Sequence, residues 1–222
     1  MAAAVQKQLT EHVAPAWFRH NATVITSPGP MFLEPSDASI AIFDGAAQAT
    51  ALGWHTVGPY GRPFARVFVR PILEAGGAVL HDDKGGVSVA TVLSHEIIEA
   101  FIDEDCQIWA DGPFSYRGSS YALEIADPVQ NDVYTVVLDD GQPVSVSNFV
   151  HPNWFDVLAP RGSQFDHMHR LDAPFSMTPG GCILVRWYRG SETLLCGPIA
   201  PPRWKLVSLQ HPAARTARRV RR

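Results

Sequence analysis

The stretch "LSHEIIEAFIDED", Leu93 to Asp105, decides how this chain is read. It opens as the ion-binding helix of a zinc peptidase does, His-Glu-x-x, and then places Glu99 where a second histidine would complete the motif. Each residue of an ideal helix advances about 100°, so His95 and Glu99 lie about 40° apart, one turn along the same face. Two side chains so placed can converge on one ion. Glu96 stands about 100° round from His95, beside that pair, where a general base could hold a water. Ala90, Leu93, Ile97, Ala100 and Phe101 fill the opposite face, with Val89, Ile98 and Ile102 flanking it. The periodicity predicts a helix over residues 87–103 on which His95, Glu96, Glu99 and Asp103 share one arc about 100° wide.

A helix this apolar is expected to be buried on most sides. Three carboxylates buried so close together need pairing, protonation or a cation. Few basic residues lie nearby in sequence, which makes a divalent ion an economical solution. The same arc also fits the solvent face of an ordinary helix, and a calcium or salt-bridge site without catalysis is a third reading. H-E-x-x-E alone is short enough to arise by chance.

Asp103 lies about 12 Å along the axis from His95, too far for a short side chain to share the same ion. It suits an acceptor behind a ligand or an anchor for the helix end. A third ligand must come from elsewhere, and the acidic segment "LEIADP" offers Glu124 and Asp127. An ion held by His95, Glu99 and a further carboxylate has an oxygen-rich shell. Zinc accepts such ligands, with a weaker preference over manganese, iron or calcium than an all-imidazole site would show.

Taken in order, "ALGWHTVGPYGRPFARVFVRP", "VLSHEIIEAFIDE", "YALEIADPVQNDVY", "VSVSNFVHPNWF" and "TPGGCILVRW" resemble a family of phage and prophage proteins. That family carries an S-H-E-x-x-E-x-x-x-D helix, then E-x-x-D-P and V-S-x-F-x-x-P-x-W-F segments. The resemblance spans roughly residues 13 to 190, and the combination is far more specific than any one segment. It implies a zincin-like metallopeptidase relative, commonly a virion or structural protein, with His95, Glu96, Glu99, Asp103, Glu124 and Asp127 as motif residues. It also implies a divalent metal, zinc in the first instance, and a location in the host cytoplasm or the virion. The family's P-G-G is usually followed by tyrosine; Cys182 stands there in this chain, which weakens the enzymatic implication. In a zincin an edge strand beside the metal binds substrate backbone, and 65–72 is the expected edge strand.

Composition agrees with a folded protein. The 222 residues suit one domain with a sizeable core, and 46% apolar with 18% charged residues exclude a disordered chain. The formal charge of −4 argues against a general nucleic-acid surface. No apolar run is long enough to span a membrane. Lys7 and Glu11 fall where a signal peptide needs an apolar stretch, so secretion by that route is not expected. Cys106, Cys182 and Cys196 form no C-x-x-C pair and are expected to be reduced and mostly buried. Ser94 lacks a nucleophile-elbow context. His167 and His169 in "FDHMHR" read as an exposed polar loop rather than a chelating pair.

Residues 3–18 predict an amphipathic helix ending near Pro15, and 22–26 and 38–44 predict strands. The segments 121–129, 132–141 and 144–155 read as short strands joined by turns. The reading is therefore a single α+β, zincin-like domain over 1–212. It has a small mixed sheet, an N-terminal helix, a central active-site-type helix and a β/loop-rich C-terminal half. Residues 213–222 form a basic tail, whose Arg-rich part 215–222 is the one segment suited to nucleic acid. The expected partners are a peptide or protein substrate, or other virion proteins. Two functions are expected: a peptidase with Glu96 activating water, or a non-catalytic virion component with a structural or vestigial ion.

Overall fold

Ser88 starts the helix on which the rest of the chain packs. Its backbone is extended (φ −134°, ψ 167°) and its Oγ accepts the Thr91 N–H at 3.0 Å, capping α4 (Val89–Ile102). In this computed structural model the described residues are 1–29, 33–34, 37–45, 52–58, 61–112, 118–188 and 190–197, so the basic tail 213–222 lies outside them. Along α4 only Ile97 and Phe101 escape full burial. The polar arc is covered as thoroughly as the apolar face: His95 is 4% exposed, and Glu96, Glu99 and Asp103 are 1% each. The arc is therefore not a solvent face.

The architecture is mixed α+β, with three small sheets around the helix. The first has the order β1 (Ser39–Phe43), β3 (Pro63–Phe68), β2 (Gly53–Val57), with β1 parallel and β2 antiparallel to β3. Val67 of β3, with Leu52 and Ile72, packs against Val89, Val92 and Leu93 of α4. The hairpin β6 (Val133–Val137) and β7 (Pro143–Ser147) covers another side. Ser94 Oγ donates to the Thr91 carbonyl at 3.0 Å and accepts the Ser147 N–H at 2.7 Å, pinning β7 to the helix. The third sheet, β4 (Trp109–Asp111), β5 (Ser120–Ala122), β8 (Cys182–Arg186) and β9 (Glu192–Cys196), is antiparallel throughout. The largest core cluster joins Ile98 and Ile102 to Val5, Leu9, Val13, Phe149 and Trp154.

The N-terminal helix is α1 (Ala2–Gln8), a π-helical turn over Leu9–Val13, and a last turn α2 (Ala14–Ala16). Pro15 has no N–H to return to the chain, and the wider turn precedes it. Residues 22–26 form no strand. Gln6 holds them instead, accepting the Val24 N–H at 2.7 Å and donating to the Ala22 carbonyl at 2.9 Å.

Residues 65–72 are not an edge strand. β3 is the middle strand, it ends at Phe68, and Val69–Glu74 is helical (α3). Its apolar/basic alternation reflects a half-buried face, not an exposed edge: the Arg66 guanidinium lies 5.2 Å from each of the rings of Phe43, Trp54 and Phe64. The segments 121–129 and 144–155 leave their strands early for 3-10 turns at Asp127–Val129 and Pro152–Phe155.

Cys182 and Cys196 form a disulfide, against the expectation of reduced thiols; they face each other in the β8–β9 register. Cys106 is free and buried. No helix among the described residues is long and apolar enough to cross a membrane.

Candidate metal centre

Three elements bring the polar arc together with groups from elsewhere. α4 supplies His95, Glu96 and Glu99; the turn after β5 supplies Glu124 and Asp127; β2 supplies His55. The helix comes unusually close to β2 because position 53 is glycine. A Cβ there would stand 2.7 Å from both Glu96 Oε1 and Val92 Cγ1. The turn carrying Asp127 is braced from behind by the P-G-G segment. Thr178 N–H donates to the Pro128 carbonyl at 3.0 Å, Gln130 Nε2 donates to the Gly180 carbonyl at 2.7 Å, and a Cβ on Gly181 would lie 2.0 Å from Pro128 O.

His95, Glu99 and Asp127, all buried, each place one ligand atom within 4.8 Å of the other two. His95 Nε2 is 3.2 Å from Glu99 Oε2 and 3.4 Å from Asp127 Oδ1. Ligands 2.0–2.2 Å from a tetrahedral ion are about 3.3–3.6 Å apart, so both separations suit zinc-type coordination. Hydrogen bonding does not account for them: His95 Nε2, though buried, lacks the in-line geometry of a hydrogen bond. Glu99 is held from behind, its Oε1 accepting the N–H groups of Ala126 and Asp127 at 3.2 Å each.

His55 lies on the other side of Glu99. Its Nδ1 hydrogen-bonds Glu96 Oε2 at 3.1 Å and stands 3.4 Å from Glu99 Oε2, while Nε2 is 3.2 Å from Glu124 Oε2. His55, Glu99 and Glu124 form a second group of ligand atoms within 4.8 Å. Glu124 therefore pairs with His55 and not with His95.

The electrostatics of this cluster are severe. Burial alone would keep both imidazoles neutral. Around His95 the charge of Glu99, with the nearby Asp127 and Glu96 carboxylates, outweighs that effect. Around His55, Cys106, Glu96 and Glu99 do the same, so both imidazoles hold their protons well above the usual range. Burial pushes the Glu96 carboxyl up, and the two histidines only partly counter it. For Glu99 the charge and bond of His95, with His55 and the Ala126 N–H, win over burial and pull it down. Even with both imidazoles protonated, Glu96, Glu99, Glu124 and Asp127 leave the six groups at −4 + 2 = −2. An ion bound by His95 replaces its proton, so a divalent cation reduces that remainder to −4 + 1 + 2 = −1, and the donor set fits one.

Of the residues expected from sequence, His95, Glu99 and Asp127 meet at one point, with Glu96 beside them and Glu124 one imidazole away. Asp103 stands outside both groups. Its carboxylate accepts the N–H groups of Gln107 and Ile108 at 3.0 Å each, closing the turn at the helix end. His55 was not anticipated. Its only signal was its place in "GWHTVGPYG", a histidine between Trp54 and Thr56 of a short strand that Gly53 disguises. His167 and His169 do not chelate: the His167 ring stacks on Phe149 at 5.1 Å and on His12 at 4.6 Å, and His169 is exposed. Asp166 between the strands is spent on the N–H groups of Arg170 and Leu171, each at 2.8 Å.

Compared with family models, with curated proteins and with solved structures, the chain matches none.

Proposed function

We propose that this protein is a metal-dependent, zincin-type peptidase of phage or prophage origin, acting on a peptide or protein substrate. One observation carries the reading: His95 Nε2, buried and without a hydrogen bond, faces Glu99 and Asp127 oxygens at the spacing of a zinc-type ligand set. These three residues would hold the ion. When bound, it would supply Lewis acidity, polarising a peptide carbonyl and favouring ionisation of water.

The chain's own groups provide the rest. Glu96 would accept a proton from the attacking water as the new C–O bond forms, then pass it to the amine nitrogen as the C–N bond breaks. Its carboxyl, raised by burial, suits that exchange better than an ordinary surface glutamate. The His55 Nδ1–H fixes the Glu96 carboxylate at 3.1 Å and sets its orientation. β2 is the edge strand at the centre, and its outer edge would pair with an extended substrate backbone, the role the sequence had suggested for 65–72.

A second reading, a virion component whose ion is purely structural, is favoured by the burial of Glu96, 1% exposed and pressed against Gly53. Glu96→Gln separates the two. A peptidase loses proteolysis while keeping its ion and fold. A structural component shows no cleavage by the wild type, and the substitution leaves virion assembly unchanged.

A further inference from the structure

We infer that the cluster holds two cations, the second bound by His55, Glu99 and Glu124, with Glu99 shared between them. The inference rests on the first ion proposed above and extends it with residues that ion does not use.

The observation behind it is the His55 imidazole. Its side chain is 8% exposed, and its Nε2 makes no hydrogen bond. Nδ1 is committed to Glu96 Oε2 at 3.1 Å. With Nδ1–H donated there, Nε2 is the ring atom left to ligate, 3.2 Å from Glu124 Oε2 but out of hydrogen-bond line with it. Beside the carboxylate that atom carries either a proton or, in its place, a cation that Glu124 also ligates. The spacing falls just under the about 3.3–3.6 Å of neighbouring ligands of one ion.

Glu99 is built to serve both sides. Backbone N–H groups of Ala126 and Asp127 hold its Oε1; its Oε2 is 3.2 Å from His95 Nε2, and a Glu99 oxygen also lies within 4.8 Å of ligand atoms of both His55 and Glu124. A carboxylate so placed bridges two ions naturally, and bridged pairs in hydrolytic sites stand about 3.5–4 Å apart.

Charge balance points the same way. Ligating imidazoles must be neutral, so the four carboxylates Glu96, Glu99, Glu124 and Asp127 sum to −4 before any ion binds. One divalent ion, with His55 still protonated, leaves −4 + 1 + 2 = −1 in a buried site, and exchanging that proton for a second ion brings the sum to −4 + 4 = 0. Both ions would be of the class that accepts mixed imidazole and carboxylate ligands, zinc or manganese.

The test is stoichiometry. The full chain, stripped with a chelator, is titrated with Zn²⁺ or Mn²⁺ alone and its bound metal measured, with circular dichroism confirming the fold of each variant. The wild type is expected to take up two equivalents. His55→Ala and the isosteric Glu124→Gln should take up one. Mn²⁺-loaded wild type should show the electron paramagnetic resonance signature of a spin-coupled pair, and both variants should lose it. A wild type that saturates at one equivalent, retained in Glu124→Gln and lost in His95→Ala, overturns the second site and leaves the first standing. Two equivalents retained in folded Glu124→Gln also overturn it. A wild type that takes up no ion removes both sites.

Discussion

Replacing Gly53 by alanine tests whether α4 and β2 really meet as closely as the structure shows. The added Cβ would lie 2.7 Å from Glu96 Oε1, 2.7 Å from Val92 Cγ1 and 3.1 Å from the Arg66 carbonyl oxygen. Ordinary contact needs about 3.5–4.0 Å, so the helix and strand must separate by roughly 1 Å or Glu96 must swing away. Glu96 is fully buried and hydrogen-bonded to His55, so neither escape is free. Overpacking of this kind costs about 1–3 kcal/mol of stability. A displacement near 1 Å of a group that handles a proton lowers turnover about 100-fold. The three atoms nearest that Cβ belong to Glu96, Val92 and Arg66, none of them a ligand of the first ion, so ion uptake should survive. Urea denaturation, metal analysis and a cleavage assay together read the three quantities. A Gly53→Ala protein as stable and as active as the wild type would refute the close packing and the assignment of Glu96 together.

Removing the ion should destabilise the protein. At an ion concentration of 1,000 Kd the stabilisation is about 4 kcal/mol, or roughly 8–16 °C in Tm for a chain of this size, lost on adding a chelator in thermal denaturation. Acid should weaken the fold through His167, which burial, with His12 and His151 nearby, depresses from 6.5 to about 4. Its folded value lies below the unfolded one, so its contribution is complete above about pH 6.5 and is lost as pH falls toward 4. The full shift would be worth about 3 kcal/mol in a wholly buried ring, and partial exposure reduces this to about 1–2 kcal/mol. His167→Phe keeps the stack on Phe149 and should flatten that part of the stability–pH curve, whereas an unchanged slope would contradict the assignment. Reducing the Cys182–Cys196 bond, which closes a 14-residue separation, should cost about 3 kcal/mol, measured as the shift in urea midpoint with and without reductant.

The half of the site that lies on α4 was legible in the sequence because it is local. The spacing of His95, Glu96 and Glu99 on one helix settles their relative directions whatever surrounds them. Asp127 was within reach because "LEIADP" offered two carboxylates, but choosing between them required knowing how the turn after β5 folds over the helix. Glu99 makes that choice by accepting the Ala126 and Asp127 N–H groups, which brings Asp127 to His95 and leaves Glu124 to His55. His55 was out of reach for a different reason. It arrives from 40 residues before His95 by sheet pairing and the glycine contact, neither of which leaves a periodic trace. The edge strand was misplaced because a half-buried face and an exposed edge give the same alternation, and only the pairing of β3 on both sides separates them. Burial of the polar arc follows from the apolar content of the helix, but the arc itself fits a solvent face equally well. Periodicity locates a polar face but does not say whether water or protein covers it.

The central claim is that His95, Glu99 and Asp127 hold an ion, and anomalous X-ray scattering from crystals of the zinc-loaded protein tests it most directly. A zinc peak is expected about 2.0–2.2 Å from His95 Nε2, Glu99 Oε2 and a carboxylate oxygen of Asp127. A fully loaded protein whose zinc lies elsewhere, with His95 paired to Glu99 and Asp127 by protons alone, would contradict it.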